Sequence, residues 1–312
     1  MLDRRTARQS KIGNPESDLE MAKQKGKSPR PKHVPQRTCI SCRRSDAKRG
    51  PTQRGDAKRK DAPRASGGPS VWSEYLRQSS RPLASLALVA PMLVAYEVGV
   101  LVLGPQAVRN GADIWLRQLL HLSGFTQYFL LPTLTVGLLL AWHHVTRDRW
   151  QVSAAVVYMM FAECAVLGLV LLGLGRLQGL VAQAIIEPQA GAASFAQMAA
   201  AGAAAPAIGR LVGYLGAGVY EEMLFRLLLL PPVSGCVRRL GARRGLRATT
   251  AIVLTSLLFS AAHYVGPHGE AFDAFSFGFR LTAGALFAVL FVYRGFGIAA
   301  GTHALYDVFV SF

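Results

Sequence analysis

The chain has 312 residues, 51% of them hydrophobic, with a mean hydropathy of +0.26. That is too apolar for an ordinary soluble domain and suits a multi-span membrane protein. The net charge of +17 is concentrated at one end: residues 1–72 hold 19 Lys and Arg against 7 Asp and Glu, so the high pI describes a tail and not a body.

The tail, 1–72, has few aromatics, many Arg, Lys, Gly and Pro, and no hydrophobic period, a composition that predicts disorder. It reads as a solvated cytoplasmic extension, and nucleic acid is not expected as a partner. Its Cys39 and Cys42 form a lone CxxC that lacks the two further ligands of a zinc site. No apolar segment opens the chain, so no cleaved signal peptide is expected.

Residues 73–312 read as one transmembrane domain. Runs of about 17–25 mostly apolar residues, enough to cross a ~30 Å hydrocarbon core, fall at 83–104, 128–145, 152–174, 207–231, 248–266, 279–294 (the shortest, with 16) and 296–312. The Ala- and Gly-rich stretch 190–206 adds a short or partial eighth. Strand alternation is absent, which leaves helices as the only way to satisfy a backbone in lipid. The expected fold is all-α, a polytopic transmembrane helix bundle of seven or eight spans. With seven, the tail, Arg147, Arg149 and the Arg-rich connection 232–247 share one face, and Glu270 and Asp273 the other. The positive-inside rule makes the basic face cytoplasmic, and the expected location is the plasma membrane of a bacterial-type cell.

Ionisable residues inside such spans mark functional sites by default. Three clusters stand out: Glu221-Glu222-Met-Leu-Phe-Arg226, Phe259-Ser-Ala-Ala-His263 and His303-Ala-Leu-Tyr-Asp307. At ~1.5 Å per residue, Glu221, His263, His303 and Asp307 all lie roughly 10–22 Å from the cytoplasmic boundary and can converge. Glu222 and Arg226, four apart, share a helix face in the favourable order. Their pairing leaves Glu221, turned away from them, without a partner. His303 and Asp307 also share a face, and Phe259 is placed to wall the site.

A carboxylate and two imidazoles around one water allow two chemistries. Glu221 acts as general base while the imidazoles orient the water and steady an oxyanion, or His263, His303 and Asp307 hold a divalent ion such as Zn2+ that acidifies the water. The residues leave that choice open, although the missing HExxH excludes a zincin. The motifs EEMLFR, FSAAH and HALYD, in this order on three apolar helices, resemble the CPBP (CAAX protease and bacteriocin-processing, Abi-type) family over 207–312. That resemblance implies a membrane-embedded endopeptidase of the kind called intramembrane metalloproteases, whose eukaryotic members trim prenylated CAAX proteins. It implies a membrane-associated protein or peptide substrate, and a site in which Glu221 and His263 activate water while Glu222 and Arg226 support them. It also gives His303 and its i+4 partner the oxyanion. The partner here is Asp307 where Asn is frequent, and an ionised Asp only accepts hydrogen bonds.

Two rivals remain at this level: a non-catalytic scaffold or bacteriocin-immunity protein of the same fold, and a proton- or metal-coupled transporter. Outside the clusters, Glu97 and Glu163 are expected to pair with an Arg or hydroxyl of a neighbouring helix. His143 and His144, at a span's end, read as interfacial.

Overall fold

Helix ends in this chain follow from local chemistry. The computed structural model describes residues 70–104, 107, 109–185, 207–266 and 269–311. The tail up to residue 69, with its CxxC pair, and the 190–206 segment lie outside them. Helix α1 (Val71–Ser79) starts at Ser70, whose hydroxyl accepts from the Ser73 N–H, and α2 (Pro82–Leu103) carries Pro in its first turn and stops at Gly104 with φ +55°, the left-handed conformation that glycine tolerates. Then come α3 (Gly111–Leu122), α4 (Leu130–Thr146) and α5 (Ala154–Ile185). After residue 206, α6 (Ala207–Gly216) runs into two wide-turn π-helical stretches, Ala217–Glu221 and Met223–Leu229, and on into α7 (Leu230–Arg239). The chain ends with α8 (Arg244–Ala262), α9 (Ala274–Arg294) and α10 (Phe296–Val310). Among the described residues no strand occurs.

Four of these helices, Pro82–Leu103, Ala154–Ala184, Arg244–Ala262 and Ala274–Arg294, are long and apolar enough to cross a membrane, and Leu130–Thr146 and Phe296–Val310 are shorter apolar helices. Val94, Val98 and Val102 of α2 and Phe161, Val166, Leu169 and Val170 of α5 face outward, as side chains do where acyl chains replace water. The protein is an all-helical integral membrane protein.

The expected span 207–231 is helical throughout but not uniformly α. Pro231 and Pro232 have no N–H to give to the carbonyls four residues upstream, so the α ladder is interrupted on their N-terminal side, where the second wide-turn stretch runs. Wide turns of this kind gather at functional sites.

Small residues let α10 sit at the centre. Residues 296–304 are all buried. A Cβ on Gly218 would lie 2.6 Å from the Ala300 carbonyl oxygen and 2.7 Å from the Ala304 Cβ, and one on Gly301 would lie 2.7 Å from Cys164 Sγ. Close backbone approach of this kind is how helices associate where lipid removes the hydrophobic drive.

The two lone carboxylates in the spans pair as expected. Glu163 takes Arg294 (2.6 Å) and the Tyr75 hydroxyl, and Glu97 takes Arg117 (3.0 Å) and the Tyr220 hydroxyl. His143, read as interfacial at a span's end, is covered by protein. It is fully buried, edge-on to the Trp150 ring at 4.6 Å, because the chain after α4 folds Trp150 back over the helix end. Helix α3 was not expected at all, since Asp113 and Arg117 interrupt its apolar pattern.

Gly218→Ala is expected to destabilise the protein by about 1–3 kcal/mol through overpacking, read as a lowered thermal midpoint in detergent. Gly235→Ala in α7, where an added Cβ meets nothing within 4 Å, should leave the midpoint unchanged or raise it. Equal effects of the two would remove the close approach of Gly218 to α10.

Candidate active site

Glu221 closes the first wide-turn stretch, and Glu222 sits between the two. Glu222, with no exposed surface, binds two partners. Its Oε1 accepts from His303 Nδ1 at 2.8 Å, and its Oε2 lies 3.1 Å from Arg226 Nε, a close ion pair without hydrogen-bond alignment. Arg226, 1% exposed, donates from Nη2 to the Gly284 carbonyl of α9 at 3.0 Å and lies over the Phe259 ring at 4.3 Å. A charge this deep needs an opposite charge and hydrogen bonds to be tolerated. The expected i+4 pair is present, and His303 extends it into a chain across three elements.

The rings are held from several sides. Phe287 stacks on the His303 imidazole, centroids 4.5 Å apart with planes at 13°. The buried Phe259 meets His263 edge-on at 5.1 Å and His303 at 5.9 Å, so it walls the site as its position predicted. His263 caps the C-terminus of α8, and its Nδ1 donates to the Phe259 carbonyl at 2.9 Å. A carbonyl only accepts, so the neutral ring keeps its proton on Nδ1 and its lone pair on Nε2. In the same way, Glu222 Oε1 accepts from the Nδ1–H of His303.

Glu221 is 8% exposed. It is not unpartnered, as its position suggested: Oε1 accepts from Asn110 Nδ2 at 2.7 Å. Among the described residues Oε2 has no hydrogen-bond partner. It faces His263 Nε2 at 3.8 Å and His303 Nε2 at 3.9 Å, and His303 Nε2 is 3.7 Å from Asp307 Oδ2. These gaps are too long for direct hydrogen bonds and suit one small bridging molecule at ~2.8 Å from each group. Glu221, Glu222, Arg226, His263, His303 and Asp307 thus come together in one place. Asp307 lies on the Nε2 side of His303, while Glu222 and Phe287 hold the ring from its Nδ1 side and its face.

The fit to a metal is poor. Among the described residues no group of three or more His, Cys, Asp or Glu side chains is arranged to hold a metal ion. Zinc bonds of ~2.0–2.1 Å place tetrahedral ligands roughly 3.3 Å apart, closer than the 3.7 Å between His303 Nε2 and Asp307 Oδ2. His263, His303 and Asp307 do not form a ligand set, and the metalloprotease expectation finds no support.

Asn110, Phe287 and Gly284 were absent from the sequence reading. Only Asn110 left a signal: Asn110-Gly111-Ala-Asp113 is a helix N-cap followed by an acidic first turn.

Removing Arg226 strands the Glu222 charge. Arg226→Met is expected to lose about 3–5 kcal/mol, seen as a fall in folded yield and thermal midpoint. Arg226→Met with Glu222→Gln should recover most of it. A single variant as stable as the wild type would refute the buried charge chain.

No curated protein and no solved structure matches the chain. Residues 203–309 match the family model described as type II CAAX prenyl endopeptidase Rce1-like. That stretch contains all six residues of the cluster. Over that third of the chain the similarity is to the Rce1-like type II CAAX prenyl endopeptidases, which agrees with the CPBP resemblance of its motifs.

Proposed function

We propose that the protein is an intramembrane endopeptidase that hydrolyses a peptide bond of a membrane-associated protein, CAAX-type prenylated proteins among the candidates, with water activated by Glu221. One observation carries this reading: a buried carboxylate oxygen, Glu221 Oε2, has no hydrogen-bond partner and faces two imidazole nitrogens across water-sized gaps. A scaffold has no use for such an atom.

In the proposed reaction the water gives one hydrogen bond to Glu221 Oε2 and one to the bare Nε2 of His263, which turns an oxygen lone pair toward the scissile carbonyl. Glu221 takes a proton as the C–O bond forms. The carbonyl oxygen becomes an oxyanion beside His303, whose Nε2–H donates to it when the ring carries both protons, Nδ1–H remaining on Glu222. The C–N bond then breaks, and Glu221 passes its proton to the leaving amine. No covalent intermediate forms. Asp307 stands 3.7 Å from His303 Nε2, beside that nitrogen and where a substrate N–H would come. Arg226 pairs with Glu222, whose Oε1 engages His303 Nδ1 and so orients the ring. The reading takes the face adjoining the Arg-rich connection after α7 as the cytoplasmic one, by the positive-inside rule.

Glu221→Gln should lower turnover by roughly 10²–10⁴-fold with folded yield intact. The substrate is sought by comparing membrane-protein termini in cells carrying wild-type and Glu221→Gln protein. New termini found equally in both would defeat the hydrolase reading and favour the scaffold. Chelation should leave turnover by the purified protein unchanged. Loss on chelation with recovery by zinc would instead establish a metal mechanism.

A further inference from the structure

The terminal torsion of a glutamate is broad and two-fold, so nothing in Glu221 itself decides which oxygen faces the imidazoles. A donor fixed on one oxygen decides it. We propose that Asn110 is a positioning residue for Glu221, occupying Oε1 so that Oε2 is presented to the water. The proposal rests on the hydrolytic reading above and extends it to a residue outside the three motifs and outside the matched family segment.

The amide of Asn110 has one orientation available. It is the N-cap of α3, and its Oδ1 accepts from the Ala112 N–H at 2.8 Å. The oxygen being committed, the NH2 is the end turned to Glu221, 2.7 Å from Oε1. An Asn with a free oxygen could flip and offer the carboxylate an acceptor. The cap prevents this.

The donor is also held in place. Asp113, one turn into α3 and fully buried, accepts from the Tyr96 hydroxyl (2.9 Å), Arg109 Nη1 (3.0 Å) and Arg117 Nε (2.6 Å). Arg117 continues to Glu97 of α2 (3.0 Å) and to the Tyr128 carbonyl (2.6 Å). Glu97 in turn accepts from the hydroxyl of Tyr220, the residue before Glu221. One polar network therefore joins α2, the start of α3 and the backbone beside the base. Both ends of the Asn110–Glu221 bond are tied to the same frame.

Capping and donation can be separated, because Asn, Asp and Ser are comparable N-caps. Asn110→Asp keeps the cap but turns an acceptor toward Glu221. Asn110→Ser keeps the cap with a side chain too short to reach. Full-length protein in proteoliposomes is assayed for thermal midpoint, and for kcat and KM on a peptide spanning the bond whose new terminus disappears in Glu221→Gln cells. Both variants are expected to keep a midpoint within a few degrees of wild type, to lose about 10–100-fold in kcat, the scale of a misplaced reacting group, and to change KM much less. Wild-type kcat in both, or loss of folded protein in both, overturns the proposal, the latter because the role would then be structural. Glu221→Gln run in parallel separates the two ideas. If it too is active, or no terminus depends on Glu221, the hydrolytic reading falls and takes this one with it. If it is inert while the Asn110 variants are normal, only the positioning role falls.

Discussion

A full charge in hydrocarbon must be neutralised by the protein itself, because no water is there to do it. In this chain the requirement centres on Arg226, which is 1% exposed. Its guanidinium holds Glu222, Glu222 holds His303, and the pairs lie at 3.1 and 2.8 Å. The chain joins the π-helical stretches to α10, and the Arg226 bond to Gly284 adds α9. Much of what is distinctive about the site follows from it. With its Nδ1 engaged, His303 has only Nε2 left to face Glu221, and with Glu222 consumed by two partners, Glu221 is the carboxylate left for the proposed chemistry.

The backbone around Glu221 is arranged for the same end. Two adjacent carboxylates with different partners must leave their helix in different directions. The wide turns on either side of Glu222 accompany that divergence: Glu221 reaches Asn110 on α3, while Glu222 reaches His303 on α10. Gly218 lets α10 approach close enough for the second contact. Buried polar networks of this kind specify one arrangement of helices more than they add stability. On the proposed reading, Glu221 Oε2 is the unsatisfied atom that the reacting water would meet.

The sequence made the cluster legible because an ionisable residue in an apolar run is conspicuous, and because spacing of four on a helix is nearly a contact. Glu222–Arg226 followed directly from that rule. The helix limits were read less well, since hydropathy marks a slab and not a helix: α5 continues to Ile185, beyond the expected 174, because nothing between them stops a helix. Asn110 and α3 escaped for the opposite reason. An amphipathic, charge-bearing helix has no hydropathy peak, and an uncharged amide carries no warning of what it will touch. The wide turns escaped as well, since π geometry has no clear residue code, although Pro231-Pro232 announced an interrupted ladder. Glu97 and Glu163 were paired correctly in kind, but Tyr75, Tyr220 and Arg294 come from 88 to 131 residues away, which no local pattern reveals.

The central claim is that one solvent molecule lies among Glu221 Oε2, His263 Nε2 and His303 Nε2 and is the nucleophile. An experimental density map of the full-length protein in lipid, sharp enough to show ordered water, tests this most directly. The account predicts a single oxygen within about 2.7–3.1 Å of the Glu221 carboxylate and of at least one imidazole nitrogen. Imidazoles turned into the acyl chains, or a stronger peak bonded at about 2.0–2.1 Å to several of these groups as a zinc ion would be, would contradict it.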